Sequence, residues 1–160
     1  LSRRLQGLDY EIFIEPGRAI VGNAGILLTR VQYLKTNGTK RFAIVDAAMN
    51  DLIRPSLYQA WQAILSVQRN EQAESHGYDV VGPVCETGDT FAKARDLPLV
   101  GEGDLVAFRS AGAYGAVMAS EYNTRPLIPE VLVRGDQFAV IRQRPTFDEI
   151  LNRDTIPTWL

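Results

Sequence analysis

Residues 26–46 read ILLTRVQYLKTNGTKRFAIVD, from Ile26 to Asp46. Branched and aromatic side chains crowd both halves, and Asn37-Gly38 interrupts them. Such side chains suit a pleated, half-buried surface, and Asn-Gly is the strongest short-range signal for a two-residue hairpin turn of type I′. Two strands are therefore expected, Ile26–Lys35 and Arg41–Asp46, folded back on one another.

The same texture continues outward. Gln62–Gln68, Tyr78–Cys85 and Leu105–Phe108 read as further short strands, and Glu130–Arg134 with Gln137–Gln143 as a second hairpin about Gly135-Asp136. Ala47–Leu57 is broken by Pro55, which predicts a loop with a short helical turn. Thr146-Phe147-Asp148-Glu149 has the capping-box pattern and should start a helix through Asn152. Upstream, Tyr10–Ile14 alternates as a strand, Glu15-Pro16-Gly17-Arg18 is a turn-rich loop, and Ala19–Ala24 makes one or two helical turns ended by Gly25. Many short strands at close spacing predict a mainly β chain, a barrel or sandwich with brief helices.

Composition narrows the function. A chain of 160 residues, 46% hydrophobic, is long enough for a sizeable core. Seventeen basic against nineteen acidic residues, with no long run of one sign, give no phosphate-binding footprint, so neither nucleic acid nor a membrane surface is expected as a partner. No apolar run approaches the roughly 18 residues of a spanning helix, and Leu1–Gln6 lack the layout of a secretory leader. Cys85 stands alone, which excludes an internal disulfide, fits a reducing cytoplasm and leaves a thiol free for chemistry. No metal-ligand spacing is present.

Four patches carry chemical side chains: Glu15-Pro16-Gly17-Arg18, Arg54-Pro55-Ser56-Leu57-Tyr58, Cys85-Glu86-Thr87-Gly88-Asp89 and Ala111-Gly112-Ala113-Tyr114-Gly115. Glu15 and Arg18 at a strand exit, with Gly17 allowing close backbone approach, suit an ionic ligand or else a surface ion pair. Arg54 and Tyr58 are four apart, so a helical turn brings them together on one anion, unless Tyr58 packs flat and Arg54 is solvated. In an apolar strand Cys85 reads as a small buried hydrophobe. A thiol can also serve as a proton donor rather than only as a nucleophile. Tyr114 between glycines reads as a loop aromatic filling a core gap. His76 is taken as an exposed loop residue, and Trp61 and Trp159 as packing residues.

In this order and at these separations the patches resemble the carboxy-terminal portion of the fold-type III, pyridoxal-phosphate-dependent amino-acid decarboxylases, the diaminopimelate-acting branch most closely, over essentially the whole chain. The resemblance implies that residues 1–24 are the end of a β/α barrel, with Tyr10–Ile14 its last strand, and that residues 25–160 are a β domain. It implies that Glu15 faces the pyridine nitrogen of the cofactor, with Gly17 beside the cofactor, and that Arg18 meets the cofactor phosphate or the substrate carboxylate. Arg54 and Tyr58 would hold the far carboxylate of the substrate, Cys85 would protonate the carbon that has lost CO2, and Glu86 would meet the distal amino group. Tyr114 would border cofactor and substrate with its hydroxyl toward the phosphate side.

The family's Schiff-base lysine, Gly-rich phosphate loop and ring-stacking histidine have no counterparts here, because they belong to the barrel that precedes this portion. A fragment, inactive alone, is therefore expected. The resemblance implies a cytoplasmic homodimer with composite active sites, converting diaminopimelate to lysine. Sister activities on ornithine, arginine or carboxynorspermidine, and a non-catalytic β domain for dimerisation or regulator binding, are the competing readings.

Overall fold

The computed structural model describes residues 4–7, 9–68, 72–98 and 100–160. The opening hairpin forms as β1 (Leu27–Asn37) and β2 (Lys40–Val45), paired antiparallel with Asn37 opposite Lys40. That register makes Gly38 and Thr39 the turn residues. Of these only Gly38 has a positive φ, 60°, which is the pattern of a type II′ turn rather than the expected I′.

Next comes α2 (Arg54–Tyr58), following the short α1 (Arg18–Val21), and then β3 (Ile64–Ser66) and β4 (Ser75–Val81). β5 (Thr90–Pro98) and β6 (Leu105–Phe108) complete a six-stranded sheet in the order β3-β6-β1-β2-β4-β5. All its pairings are antiparallel except β2 with β4. The sheet curls until its ends nearly meet: Arg95 of β5 donates to the Gln62 carbonyl just before β3 at 2.5 Å, and its guanidinium lies 4.6 Å from the Trp61 ring centroid. Val31, Val45, Val80, Val106 and Phe108 point into the barrel and are almost wholly buried, with Phe91 against Phe108 at 4.7 Å between centroids. Each such side chain contributes about 1.5–3 kcal/mol on burial.

The mainly β expectation holds, with several local corrections. β5 escaped the sequence reading because its alternation fails at Ala94, where the backbone turns to a φ of 45° and the Asp79 carboxylate accepts from the Ala94 N–H at 2.7 Å. His76 is not an exposed loop residue. It lies in β4, half-buried, with its ring edge-on to Tyr78. Of the polar loop expected over Arg69–Gly77, Arg69–Glu71 lie outside the described residues, and Ser75–Gly77 already belong to β4. Trp61 and Trp159 are exposed at 71% and 80%, so neither packs into the core. Tyr10–Ile14 runs exposed, with no ladder partner among the described residues.

The second hairpin, β7 (Glu130–Arg134) and β8 (Gln137–Arg142), stands apart from the barrel with Val133 and Phe138 on one face and Leu132 and Ile141 on the other, all exposed. The capping box forms as predicted at α3 (Phe147–Leu151), where Thr146 Oγ1 accepts from the Glu149 N–H and Glu149 Oε2 from the Thr146 N–H. Among the described residues no helix is long and apolar enough to cross a membrane.

Candidate functional site

Pro55 sits in the first turn of α2, where its missing N–H costs nothing and its fixed φ favours the helix. One turn later comes Tyr58. The Arg54 guanidinium lies 5.2 Å from the Tyr58 ring centroid and 5.5 Å from that of Tyr114, so the cation lies against two phenols from separate segments. Each stacking is worth about 0.5–2 kcal/mol. Arg54 Nε is buried and has no hydrogen-bond partner among the described residues.

Tyr114 occupies the left-handed region with a φ of 56°, a conformation that costs a bulky residue roughly 1–3 kcal/mol and persists only where the surroundings enforce it. The enforcement is visible. Gly112 donates to the Gly22 carbonyl at 3.0 Å and Ala111 to the Gly25 carbonyl at 2.9 Å, which seats residues 18–25 on residues 110–112. A Cβ on Gly112 would lie 2.1 Å from the Val21 carbonyl oxygen, and one on Gly17 would lie 2.6 Å from the Tyr114 hydroxyl. The Glu15–Arg18 loop thus reaches the phenol. Gly112→Ala is accordingly expected to destabilise the chain by about 1–3 kcal/mol, seen as a lower midpoint in thermal melting. An unchanged midpoint would show that this seating contributes nothing.

Residues 82–89 connect β4 to β5 and carry the thiol. Cys85 is exposed on this loop, not in the apolar strand expected for it, because β4 ends at Val81 and the chain turns at Gly82-Pro83. Glu86 is exposed beside it. The loop lies against α2: a Cβ on Gly88 would come within 2.7 Å of Ser56 Oγ. Asp89 closes the loop from inside, with Oδ1 accepting from the Met49 N–H and Oδ2 from the Val84 N–H, both at 2.7 Å.

Burial pushes the Asp89 carboxyl above its ordinary range, against the pull of those two N–H groups and of Arg125. Asp51 is pushed up by burial too, opposed by the Ala48 N–H and by Arg125 at 3.6 Å. Between the ordinary and the raised values the folded chain holds protons that the unfolded chain has lost. These two groups therefore make stability fall as pH rises through that window.

Gly17, Arg54, Tyr58 and Tyr114 are thus drawn into one cluster, and the Cys85–Glu86 loop meets α2 at Ser56 through Gly88. Arg18 points elsewhere, donating to the Ser110 carbonyl at 3.3 Å beside an open cleft lined by Trp61 and Arg109, and Glu15 is exposed. Sequence reasoning passed over Asp89, Ser56 and Arg125, which bonds to Asn50 and to the Asp46 carbonyl. The one available signal was an acid at the end of the Cys85–Asp89 patch, directly after a glycine.

Comparison with known proteins gives this cluster a lineage. The family described as pyridoxal-dependent decarboxylase, C-terminal sheet domain, matches residues 15–112. The diaminopimelate decarboxylase of Pseudomonas aeruginosa is 59% identical over 94% of this chain and 36% of its own length, and that of Vibrio cholerae 57% over 90% and 34%. The chain therefore spans about a third of the length of these curated relatives. A solved structure from Aquifex aeolicus superposes with a TM-score of 0.85 at 47% identity, covering 95% of this chain and 38% of that one. Diaminopimelate decarboxylase from Helicobacter pylori, complexed with L-lysine, does so at 0.81 and 47%, covering 95% and 37%. The cluster around Arg54 is built on a sheet that this chain shares with them, and the chain belongs to the pyridoxal-dependent decarboxylases, whose C-terminal sheet domain it carries.

Proposed function

We propose that the full-length protein is a pyridoxal-phosphate-dependent decarboxylase that converts meso-2,6-diaminopimelate to L-lysine and CO2, acting as a cytoplasmic homodimer with composite active sites. Residues 25–160 are its β domain, and residues 1–24 lead in from the cofactor-binding barrel. The observation that carries the reading is Arg54, set against Tyr58 and Tyr114 with Nε unpartnered. A cation fixed in this way matches a carboxylate remote from the reacting carbon, the feature that separates diaminopimelate from ornithine. The relatives' names and the L-lysine bound to the Helicobacter pylori protein support the same assignment.

The residues present fit one side of the cofactor. The Glu15 carboxylate suits a cationic ring nitrogen, and the Gly17 backbone, open to close approach, lies against the Tyr114 phenol, a donor for phosphate. When bound, pyridoxal phosphate supplies the electron-withdrawing ring that takes up the electron pair released with CO2. Arg54 and Tyr58 hold the far carboxylate and Glu86 meets the distal amino group, while Arg18 must give up its bond to the Ser110 carbonyl to meet the substrate carboxylate or cofactor phosphate. The Cys85 thiol, exposed so that it can enter a partner subunit's site, gives its proton to the carbon left by CO2 and regains one from water. Turnover of diaminopimelate, ornithine, arginine and carboxynorspermidine by the full-length protein tests the assignment. Release of CO2 is expected from the first substrate only, with lysine as the product, and activity on ornithine without activity on diaminopimelate would refute it.

A further inference from the structure

We infer that Asp89 is a positioning residue that staples the thiol-bearing loop to the segment leading into α2, so that Cys85 and Arg54 are held in place by one buried carboxylate. The inference rests on the roles proposed above for those two residues.

Asp89 is 3% exposed, and its carboxylate is spent on two backbone N–H groups. Its two oxygens divide between two loops. Oδ2 takes the Val84 N–H, one residue before the thiol, and Oδ1 takes the Met49 N–H, in the segment that enters α2 five residues later. These bonds span 5 and 40 residues of chain, so the second ties together segments that sequence keeps far apart. The backbone is shaped around the carboxylate: a Cβ on Gly82 would lie 2.3 Å from Oδ2, so only a glycine there leaves the carboxylate its place. On the outer side Gly88 meets Ser56, so the same two segments are also in contact through α2 itself. If Cys85 serves the partner's site while Arg54 serves its own, the staple lies between the two active sites of a dimer.

Asp89→Ala removes both acceptors and leaves two N–H groups unmet. Asp89→Asn keeps one, because an amide oxygen accepts from either N–H while its NH2 opposes the other. Gly82→Ala displaces the carboxylate without deleting it, and serves where Asp89→Ala does not fold.

Two measurements on the full-length protein with cofactor bound decide the matter. Amide hydrogen exchange at Met49 and Val84 is expected to quicken together, by about tenfold or more in Asp89→Ala and Gly82→Ala and less in Asp89→Asn. At a temperature where the variants remain folded, kcat should fall by roughly tenfold or more as the thiol is misplaced, and KM should rise as Arg54 loosens. A purely structural carboxylate would lower the melting temperature and leave kcat and KM of the folded enzyme untouched. That result, or faster exchange confined to residues 82–89 with Met49 still protected, overturns the inference. Should the wild-type enzyme not act on diaminopimelate, the proposed function fails, and the exchange data still decide the staple.

Discussion

Cys85→Ala in the full-length protein is expected to lower kcat by about 10²–10⁴-fold, the usual contribution of a positioned proton donor, with the cofactor still bound. The thiol is well placed for that work. It is exposed on a loop that an aspartate anchors from behind, which suits the proton transfer proposed for it. Substitution removes only the thiol sulfur and its proton, so binding of substrate should change little and the loss should appear in kcat rather than KM. Steady-state kinetics with the cofactor spectrum as a control make the measurement. Unimpaired turnover would mean that the proton comes from elsewhere, and the assignment of the loop to catalysis would go with it.

Arg54→Lys should act on the opposite parameter. An ammonium keeps the charge but loses the planar surface that lies against Tyr58 and Tyr114, together with the fork geometry that meets a carboxylate with two N–H groups. The far carboxylate of diaminopimelate would then face a mobile point charge. A charge-assisted hydrogen bond of this kind is worth about 1.5–3 kcal/mol, so KM for diaminopimelate should rise by roughly one to two orders of magnitude, with a smaller change in kcat. The check is a comparison of KM values for wild type and Arg54→Lys. An unchanged KM would show that the stacked cation is merely structural.

The strands with clean alternation and turn chemistry were readable from sequence: β1, β2, β6 and the β7–β8 hairpin all lie where branched residues and glycine turns place them. β5 was hidden because Ala94 breaks the period and its charged neighbours Lys93, Arg95 and Asp96 look like a loop. Of the site, the Arg54–Tyr58 pair was legible because helical spacing is a local rule. The second phenol against Arg54 was not, since Tyr114 arrives from a different segment by way of a left-handed backbone that no local signal announces. Asp89 was in view at the end of its patch, but its role was hidden for a related reason. Its work is a bond to Met49, 40 residues away, and nothing in the intervening sequence records it.

The parallel pairing of β2 with β4 has its own bearing on how such a site can arise. Two strands running the same way cannot be joined by a tight turn, so the chain must make a long excursion before it returns. Here that detour runs from Val45 to Ser75, and it carries Asp51, Arg54 and Tyr58. The barrel's connectivity thus demands a spare length of polypeptide at this spot whatever it is used for. Part of that length serves the sheet itself, as β3 pairs with β6, but the residues of α2 hold no ladder position, so substitutions there bear on the cluster at Arg54 rather than on strand pairing.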